Sequence, residues 1–456
     1  MMPASSLTLT AEMHELVFQH LFPGDELEAA AVLVCARAPG PRLRLLVREV
    51  VLVPHEECQR ERNLLSWPGK SIEDAIDLAE QENLSIILLH SHPGGFFGFS
   101  EYDNSSDRIT IPCLFAACGS LHGSAIMVPD GSMLGRVYTS DMKCQQLELV
   151  TVPGQDLQWW WSDRKFLNRP MAFSAETRTE LGRLTACVLG VSGTGSVVAE
   201  QVARLGFGKI VLIDFDEVEE KNLNRILNST TDDAHVGRLK VSVFDRAITS
   251  FRGEGVAIPV NASILDRQAV VTASQADVLF SCVDTHDARQ MADLISSAFL
   301  IPLFDVGVTI PTRTTPKGGV AIAEVCARVD YVRPGGPTLG DRGVYTQASL
   351  RAEQLRRVAP NEYQNELNQG YIKGAADEAP SVITLNMRAA ADLVMEFLAR
   401  AYPFRHDSNL YYSRRFLSIA AREEEFFPET DFTVSVNDVL ARGAQEPLLN
   451  LPRLRP

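Results

Sequence analysis

The sequence lacks the features of secreted, membrane-spanning and nucleic-acid-binding chains. It has eight cysteines in 456 residues, none in a Cys-x-x-Cys pair. No apolar run approaches the ~18 residues of a membrane-spanning helix, and the N-terminus lacks a signal peptide's basic and apolar regions. Lys and Arg number 43 against 58 Asp and Glu, and this net charge of −15 argues against binding nucleic acid or, more weakly, anionic membranes. We therefore expect a cytoplasmic chain with reduced thiols.

The composition that is present is that of a folded, multidomain protein. Hydrophobic residues make up 45% and charged residues 22%, which excludes a largely disordered chain. The length predicts two to four domains. We predict a first domain over 1–150, a linker over 151–165, a second domain over 166–420 and a tail over 421–456. The predicted linker contains Trp159-Trp160-Trp161. Three bulky aromatic residues at such a boundary more often pack one domain on another than line a binding groove.

The first 150 residues mix short strands with two helices, so we predict an α+β domain. Apolar residues recur near a 3.6 period over 11–21, which predicts a helix. A second helix is predicted over 71–82, with Ser71 as its N-cap. Four apolar runs predict strands over 29–34, 43–53, 86–89 and 124–128.

A compact metal-binding pattern follows the third of these strands. His90 and His92 are two residues apart, so on an extended strand their side chains point to the same side. Pro93, Ser100 and Asp103 follow within the next eleven positions. Two imidazoles and a carboxylate leave zinc a fourth position for water, whose pKa the metal lowers toward ~7. A bare His-x-His pair is usually coincidental, but the additional residues make coincidence a poor explanation.

The spacing from His90 to Asp103 resembles that of the JAMM/JAB metalloisopeptidase family over roughly the first 140 residues. The resemblance implies that His90, His92 and Asp103 bind zinc and that the Ser100 hydroxyl steadies the tetrahedral intermediate. It also implies a glutamate general base on the strand after the first helix, and Glu28 fits that place. A carboxylate beside a metal-activated water takes its proton and returns it to the leaving amine.

A second glutamate near this position competes for the same role. Glu26 lies two residues before Glu28 at the start of the same strand, so sequence spacing alone leaves both open. The family pattern favours Glu28.

From residue 184 onward strands and helices alternate. Strands are expected over 186–191, 209–214, 256–259, 277–283 and 301–308, and helices over 196–205, 287–299 and 383–399. This alternation predicts a doubly wound, mostly parallel α/β sheet of the Rossmann-like kind. Residues 334–380 are rich in Gly, Pro, Gln and Asn and predict a long excursion.

A glycine-rich turn follows the first strand of this second domain. Gly190, Gly193 and Gly195 make a tight turn and let backbone N–H groups approach phosphates at a helix N-terminus. The next strand ends at Asp214, where a carboxylate binds a ribose hydroxyl. These features alone fit an NAD-dependent dehydrogenase equally well.

The residues after the turn favour ATP and Mg²⁺ over a nicotinamide. Asn222, Arg225 and Lys240 can contact or neutralise phosphates, and Asp284 can hold Mg²⁺ against them. Each residue alone has a simpler explanation, with Lys240 as an exposed helix residue and Asp284 as a helix N-cap. Their serial occurrence makes chance a poor account.

This ordered set resembles the ThiF/MoeB family of ubiquitin-activating-enzyme-like adenylating domains, over about 165–420. The resemblance implies that Asp214 contacts the ribose, that Asn222, Arg225 and Lys240 contact the phosphates, and that Asp284 holds Mg²⁺. Arg225 and Lys240 would also offset charge that develops during attack at the α-phosphorus.

Three further expectations come from the same resemblance. The family supplies an arginine from upstream of the glycine turn, often across a homodimer, and Arg169 is the candidate. Ser192 replaces the usual middle glycine, and Thr338 and Asp341 stand where many relatives carry a zinc-binding Cys-x-x-Cys pair. A thioester-forming cysteine is therefore in doubt. Cys326 is the least implausible candidate, although its apolar setting favours a buried structural thiol.

Together these patterns predict an enzyme with two active sites. The second domain would adenylate the C-terminal carboxylate of a ubiquitin-like modifier, and the first would cleave after that residue to mature or remove the modifier. The expected partners are the modifier, a second copy of the chain and, as a further candidate, a conjugating enzyme. Such fusions are expected to be bacterial, encoded beside these partners and in some cases antiviral. Alternatives are activation of a sulfur-carrier protein for cofactor synthesis and a scaffold with one degenerate site.

Overall fold

The structure, a computed structural model, forms two compact units. It describes residues 5–80, 82–119, 121–164, 169–368 and 382–456. The first unit takes in Pro3–Pro170, Ser297–Leu300 and Asn437–Pro456, and the second takes in Met171–Ser296 and Ile301–Val436. Within the first unit, the N–H of Ala441 donates to the Ser297 carbonyl at 3.0 Å, and that of Ala444 donates to the Arg37 carbonyl at 2.7 Å. The C-terminal segment thus lies in the first unit, which differs from the predicted boundaries.

The first unit is built on a nine-stranded mixed sheet. Its strands are β1 (Ser5–Thr8), β2 (Ala30–Arg37), β3 (Leu43–Leu52), β4 (Gln59–Arg60), β5 (Leu65–Ser66), β6 (Ser85–Ser91), β7 (Leu121–Met127), β8 (Met133–Thr139), β9 (Cys144–Gln146), β10 (Leu149–Pro153) and β11 (Leu157–Trp161). Its helices are α1 (Ala11–Leu21), α2 (Lys70–Glu80) and α3 (Glu101–Ala117). The order is β11-β10-β1-β3-β2-β6-β7-β8-β9, with β4 and β5 as a separate pair.

The central strands of this sheet are apolar at consecutive positions, so both of their faces must be buried. Leu33 and Cys35 of β2 face α1, whereas Val32 and Val34 face α2 and α3. Helix α1 begins and ends where its periodicity predicts. Helix α2 begins at Lys70, and Ser71 is a buried residue of its first turn. The prediction of Ser71 as the N-cap is therefore wrong.

The tryptophan cluster belongs to the sheet. Strand β11 pairs antiparallel with β10, with Trp159 opposite Thr151 and Trp161 opposite Leu149. The ring of Trp160 stacks on that of His14 at 5.2 Å between centroids. The interpretation of this segment as a linker is corrected, because aromatic residues on an edge strand are held by cross-strand and same-face neighbours.

The second unit is built on an eight-stranded sheet. The strands of this unit are β12 (Thr185–Leu189), β13 (Lys209–Ile213), β14 (Ala257–Val260), β15 (Val278–Ser281), β16 (Leu303–Thr309), β17 (Thr312–Thr314), β18 (Val320–Ile322), β19 (Cys326–Val332), β20 (Arg414–Ser418) and β21 (Glu423–Phe427). Strands β17 and β18 form a separate pair, and the other eight form the sheet. Its helices are α4 (Ala175–Leu181), α5 (Gly193–Leu205), α6 (Thr231–His235), α7 (Lys240–Arg252), α8 (Arg267–Ala273), α9 (His286–Phe299), α10 (Gln347–Val358), α11 (Pro360–Asn368) and α12 (Ile383–Ala401).

The strand order of this sheet places a crevice beside β12. The order is β14-β13-β12-β15-β16-β19-β20-β21, and the first five strands are parallel. The chain leaves β12 toward β13 and later returns on its other side with β15, which is the topological switch point where α/β sheets bind ligands. This confirms the predicted Rossmann-like α/β fold. The excursion region contains α10 and α11, and residues 369–381 lie outside the described part.

The core of the second unit includes a cluster of aromatic rings between the sheet and α12. Phe397 of α12 contacts Phe280 and Phe304 edge-on, with 5.7 Å between ring centroids in both pairs. This contact seats α12 against β15 and β16. Among the described residues, no helix is both long enough and apolar enough to cross a bilayer.

Candidate metal centre and nucleotide site

Strand register brings Glu28 and the two histidines to one place. Strands β2 and β6 are antiparallel, with Ala30 opposite His90. The pairing continues one step further, since the N–H of Ser91 donates to the Ala29 carbonyl at 2.9 Å. Continuing the same register sets Glu28 opposite His92, and opposite residues project from the same face. A general-base candidate from one strand therefore meets two ligand candidates from the next.

The two imidazoles and Asp103 form a compact cluster. His90 Nε2 lies 3.0 Å from His92 Nε2 and 3.1 Å from Asp103 Oδ1. His92 Nε2 lies 3.5 Å from Asp103 Oδ2. One ligand atom from each of the three residues lies within 4.8 Å of the other two, which is close enough for all three to bind one metal ion. Two imidazole nitrogens and a carboxylate oxygen are a donor set suited to zinc.

Asp103 is aimed at the histidines by a capping box at the start of α3. The Ser100 hydroxyl accepts the N–H of Asp103 at 3.2 Å, and Asp103 Oδ2 accepts the N–H of Ser100 at 2.6 Å. The capping box therefore fixes the position of this carboxylate. Ser100 accepts a bond from the helix but keeps its own hydroxyl proton to donate.

The charges within the cluster shift its pKa values. Burial opposes ionisation of Asp103, but hydrogen bonds from His90 and His92 outweigh it and hold its pKa well below the usual range. Burial raises the pKa of Glu28 to about 7, with His92 lowering and Asp103 raising it. The pKa of His92 is raised because its bonds to Asp103 and to the Phe96 carbonyl outweigh burial.

The structure distinguishes the two glutamates that the sequence left open. The Glu28 residue is 8% exposed and is electrostatically coupled to His92 and Asp103. The Glu26 side chain is 77% exposed and lies 4.0 Å from Arg62. Only Glu28 therefore lies beside the histidine and aspartate cluster.

The loop between His92 and Ser100 adds a contact that the sequence did not indicate. His92 Nδ1 lies 2.8 Å from the Phe96 carbonyl oxygen. A backbone acceptor on one ring nitrogen leaves the other, Nε2, as the metal-facing atom. A backbone carbonyl carries no side-chain signature, so no motif could have identified it.

The glycine turn of the second unit is tight for a defined reason. Gly190 has φ +79°, a conformation that L side chains rarely adopt. A Cβ at Gly195 would overlap the Gly190 carbonyl oxygen, and one at Gly193 would lie 2.5 Å from Asn386 Nδ2. Ser192 has φ −96°, so this position does not need the positive φ that favours glycine.

Asp214 and Lys240 lie on the β13 side of this turn. Asp214 Oδ2 accepts the N–H of Val191 at 2.7 Å, and its Oδ1 accepts that of Asp216 at 2.9 Å. Burial raises the pKa of Asp214, although Lys240 lowers it. Lys240 is only 5% exposed, and its Nζ lies 2.7 Å from Asp216 Oδ2. It is therefore a buried cation and not an exposed helix residue.

The remaining phosphate-contact candidates are held by local bonds. Asn222 is buried, and its Oδ1 accepts the N–H of Glu219 at 3.0 Å, which leaves its amide N–H groups as donors. Arg225 Nη1 donates to the Lys221 carbonyl at 3.0 Å. The Arg225 Cδ lies 3.4 Å from the position of a Cβ at Gly193, so this arginine lies against the glycine turn.

Asp284 is exposed and lies three residues beyond the end of β15. Its neighbours in sequence, Cys282 and Val283, lie against the glycine turn, since a Cβ at Gly190 would meet the Cys282 carbonyl oxygen at 3.1 Å. Asn386 of α12 also approaches it, with Thr194 Oγ1 donating to Asn386 Oδ1 at 3.4 Å. Asn386 is far along the sequence, and it is not among the site residues that the sequence motifs indicated.

Two candidates have settings of their own. Arg169 donates from Nη2 to the carbonyl of Leu157 within the first unit. Residues 166–168, in the same proposed segment, lie outside the described residues. Cys326 begins β19 and is 5% exposed, and burial together with the carboxylate of Glu324 raises the pKa of its thiol.

Comparison with known proteins identifies both domain classes. The chain is a fusion of a JAB-type domain and a ThiF-type domain. Residues 10–138 match the prokaryotic homologs of the JAB domain, and residues 167–328 match the ThiF family. These matches confirm the resemblances that the motifs indicated.

Curated relatives resemble only part of the chain. Ubiquitin-like modifier-activating enzyme 5 of Drosophila willistoni is 31% identical over 164 residues, which cover 33% of this chain and 36% of that protein. The Caenorhabditis elegans protein of the same name is 28% identical over 163 residues, covering 33% and 35%. The chain thus spans about a third of the length of the curated relatives it matches.

Among solved structures, two of Escherichia coli MccB match parts of the chain. The one with ATP gives a TM-score of 0.43 at 18% identity and covers 58% of this chain and 68% of that chain. The one with AMPCPP and selenomethionine MccA gives 0.43 at 14% identity and covers 80% of each.

Proposed function

We propose that this protein activates a ubiquitin-like modifier with ATP in its second unit and cleaves the modifier's peptide or isopeptide bonds in its first. The observation that carries the proposal is the presence of two distinct, chemically complementary sites in one chain. One is a cluster of two histidines, Asp103 and Glu28, and the other is a glycine turn with nearby cations.

In the second unit, the cations around the turn favour a triphosphate over a dinucleotide. Lys240 is buried on the β13 side and Arg225 lies against Gly193. The turn offers backbone N–H groups at the start of α5, where the helix dipole also favours anions. Asp214 stands at the end of β13, where a carboxylate can accept ribose hydroxyls.

The proposed reaction there is adenylation. A carboxylate oxygen of the modifier's C-terminus attacks the α-phosphorus, the bond to the β-phosphate oxygen breaks, and pyrophosphate leaves. Arg225, Lys240 and the Asn222 amide offset the charge that develops on the phosphate oxygens. Asp284 would hold Mg²⁺, which supplies charge neutralisation between the phosphates when bound.

In the first unit, the donor set fits zinc, with His90, His92 and Asp103 as its ligands. A zinc ion bound there supplies Lewis-acid polarisation of the scissile carbonyl. Glu28 takes a proton from the attacking water and returns it to the leaving amine, for which a pKa near 7 is well suited. The Ser100 hydroxyl donates to the oxygen that becomes negative during attack.

A homodimer through the second unit is part of the proposal. The proposal rests on the resemblance, because the family often supplies an arginine from upstream of the glycine turn across a homodimer, and Arg169 is the candidate at that position. Light scattering at micromolar concentration should give twice the 50.2 kDa chain mass. A monomer would leave Arg169 to act within its own chain or not at all.

The deciding experiment combines the full chain with ATP, Mg²⁺ and a candidate small modifier protein. ATP–pyrophosphate exchange that depends on the modifier is expected, and intact masses should reveal an acyl-adenylate. Exchange without the modifier, or none, would contradict modifier activation. Transfer of sulfur to the modifier's terminus instead of conjugation would favour the sulfur-carrier alternative, and absence of both activities would favour a scaffold.

A further inference from the structure

A recess in the first unit is lined in part by residues next in sequence to those of the proposed metal centre. It has a volume of about 330 Å³, at the lower end of the size range of ligand pockets (about 300–1,000 Å³). Its walls include Phe97, Phe99, Arg136, Gln146 and Arg164. We call it the Arg164 cavity.

The two arginines of the cavity are in different electrostatic states. Arg136 is buried, stacks 3.8 Å above the Phe99 ring, and donates to Asp107 and Asn104. Its charge is thus neutralised by Asp107. The Arg164 guanidinium lies 5.5 Å from the Phe97 ring centroid and is exposed. Within the described chain, no carboxylate lies within ion-pair distance of Arg164, so its charge is available to a ligand.

The cavity also lies along an open sheet edge. Cys144 and Gln146, which line the cavity, belong to β9, the last strand of the sheet. Among the described residues β9 pairs with β8 as its one strand neighbour, and the Gln146 carbonyl accepts the Ser5 hydroxyl at 3.5 Å. All three residues of β9 are exposed. An unpaired edge offers backbone hydrogen bonds to an extended peptide, while an adjacent pocket reads one of its side chains.

The wall of the cavity continues into the metal-binding segment. Phe97 to Phe99 follow Phe96, whose carbonyl oxygen is 2.8 Å from His92 Nδ1. Asn104, another wall residue, follows Asp103 directly. An extended chain lying in the cavity would therefore run next to the histidine and aspartate cluster.

We propose that the Arg164 cavity binds an acidic side chain of an extended substrate segment, which lies along β9 close to its scissile bond. This inference rests on the proposed peptidase function. A guanidinium donates two parallel hydrogen bonds to a carboxylate, and the Phe97 ring packs against the guanidinium from one side. The occupant is an internal Asp or Glu side chain, because the extended segment runs past the cavity along β9 and does not end in it.

The test measures binding separately from cleavage. Fluorescence anisotropy is recorded with the full-length, zinc-supplemented chain carrying Glu28→Gln, so that bound peptide stays intact. The probe is a fluorescein-labelled, C-terminally amidated peptide, Gly-Phe-Asp-Glu-Phe-Gly, and its counterpart has Asn and Gln in place of Asp and Glu. The acidic peptide should bind at least about fivefold more tightly, and this preference should shrink with added salt.

The matched variants are Arg164→Gln and Arg108→Gln, the latter an exposed arginine of α3. Arg164→Gln should remove the preference for the acidic peptide, Arg164→Lys should keep part of it, and Arg108→Gln should leave it unchanged. Thermal melting of each variant checks that the first unit stays folded.

Three outcomes would overturn the inference. The acidic and amide peptides could bind equally, or Arg108→Gln could weaken binding as much as Arg164→Gln. The Asn and Gln peptide could also bind tightly once its C-terminus is a free carboxylate, which would assign the cavity to a chain end. If wild type cleaves no substrate while Arg164-dependent binding persists, the peptidase proposal fails and the binding site stands.

Discussion

The two proposed sites differ in how their residues are held before any ligand arrives. In the first unit, the functional groups face one another, with His90 and His92 nitrogens 3.0 Å apart beside a buried carboxylate. In the second, several groups are already bonded to their own chain. Lys240 pairs with Asp216, and Arg225 donates to the Lys221 carbonyl.

This difference has an energetic consequence. One ligand atom each from His90, His92 and Asp103 converges in the first site before any ligand binds, so this site is preorganised for a cation. A nucleotide at the second site must instead exchange existing protein bonds for phosphate bonds, and only the surplus appears as affinity. We therefore expect single changes to have their greatest effect in the first site.

The largest expected effect follows from removing two ligands at once. His90→Ala/His92→Ala should reduce bound zinc from one per chain to nearly none and abolish cleavage, because one carboxylate cannot retain the ion. Elemental analysis of the purified protein measures the metal. ATP–pyrophosphate exchange should be unchanged and is the internal control. Zinc content equal to that of wild type would refute the assignment of these ligands.

Separating the base from the ligands gives the next largest effect. Glu28→Gln should leave zinc bound but slow cleavage about 10²–10⁴-fold, because the amide cannot take up a proton. Glu26→Gln is the matched control, since that side chain is exposed. Steady-state rates on a modifier precursor measure both variants. Equal losses in the two, or loss of zinc in Glu28→Gln, would contradict the proposed division of roles.

The second site is tested through its magnesium candidate. Asp284→Ala should lower Mg²⁺-dependent pyrophosphate exchange at least about 10²-fold, since a metal contributes several kcal/mol of charge stabilisation. Asp287→Ala, three residues on and paired with Arg357, is the control. Peptide cleavage should be unaffected by either change. An exchange rate in Asp284→Ala that matches Asp287→Ala would remove Asp284 from the site.

The same contrast explains what the sequence could predict. His90, His92, Ser100 and Asp103 lie on one strand end and one helix start, so linear spacing determines their geometry. Glu28 needed one more piece of information, the register of β2 against β6. The alternation of strands with helices along the chain also predicts the parallel strands of the second unit. Each strand was recognisable because strands buried on both faces carry continuous apolar runs.

Contacts made across long sequence separations were not predictable in this way. Asn386 approaches Gly193 only because α12 packs on the sheet, and the Phe96 carbonyl acts through the backbone. The tryptophan segment was misinterpreted because its composition is that of an interdomain contact, while its pairing with β10 is a tertiary fact. The placement of 437–456 in the first unit is likewise set by backbone bonds to Ser297 and Arg37.

A departure from the family pattern, already visible in the sequence, concerns the positions where relatives carry zinc-binding cysteines. Thr338 Oγ1 donates to Asp341 Oδ2 at 2.9 Å and accepts the N–H of Asp341 at 3.1 Å, and these two bonds close the turn. The buried Asp293 accepts the N–H groups of Leu339 and Gly340 and ties the turn to α9. Hydrogen bonds thus hold the segment that cysteine ligands would otherwise hold.

The smallest expected effect belongs to Cys326, and it decides whether adenylation ends in a thioester. A thioester needs an exposed thiolate in an electropositive setting. Cys326 is buried at the start of β19, and its pKa is raised by burial and by Glu324. Cys326→Ala should therefore lower stability by only about 1 kcal/mol and leave transfer from the acyl-adenylate to a partner nucleophile intact. The exposed Cys144 gives the matched control, Cys144→Ala. Intact mass spectrometry without reductant is the measurement. A reductant-sensitive adduct between modifier and chain that disappears in Cys326→Ala, but not in Cys144→Ala, would make Cys326 a catalytic residue.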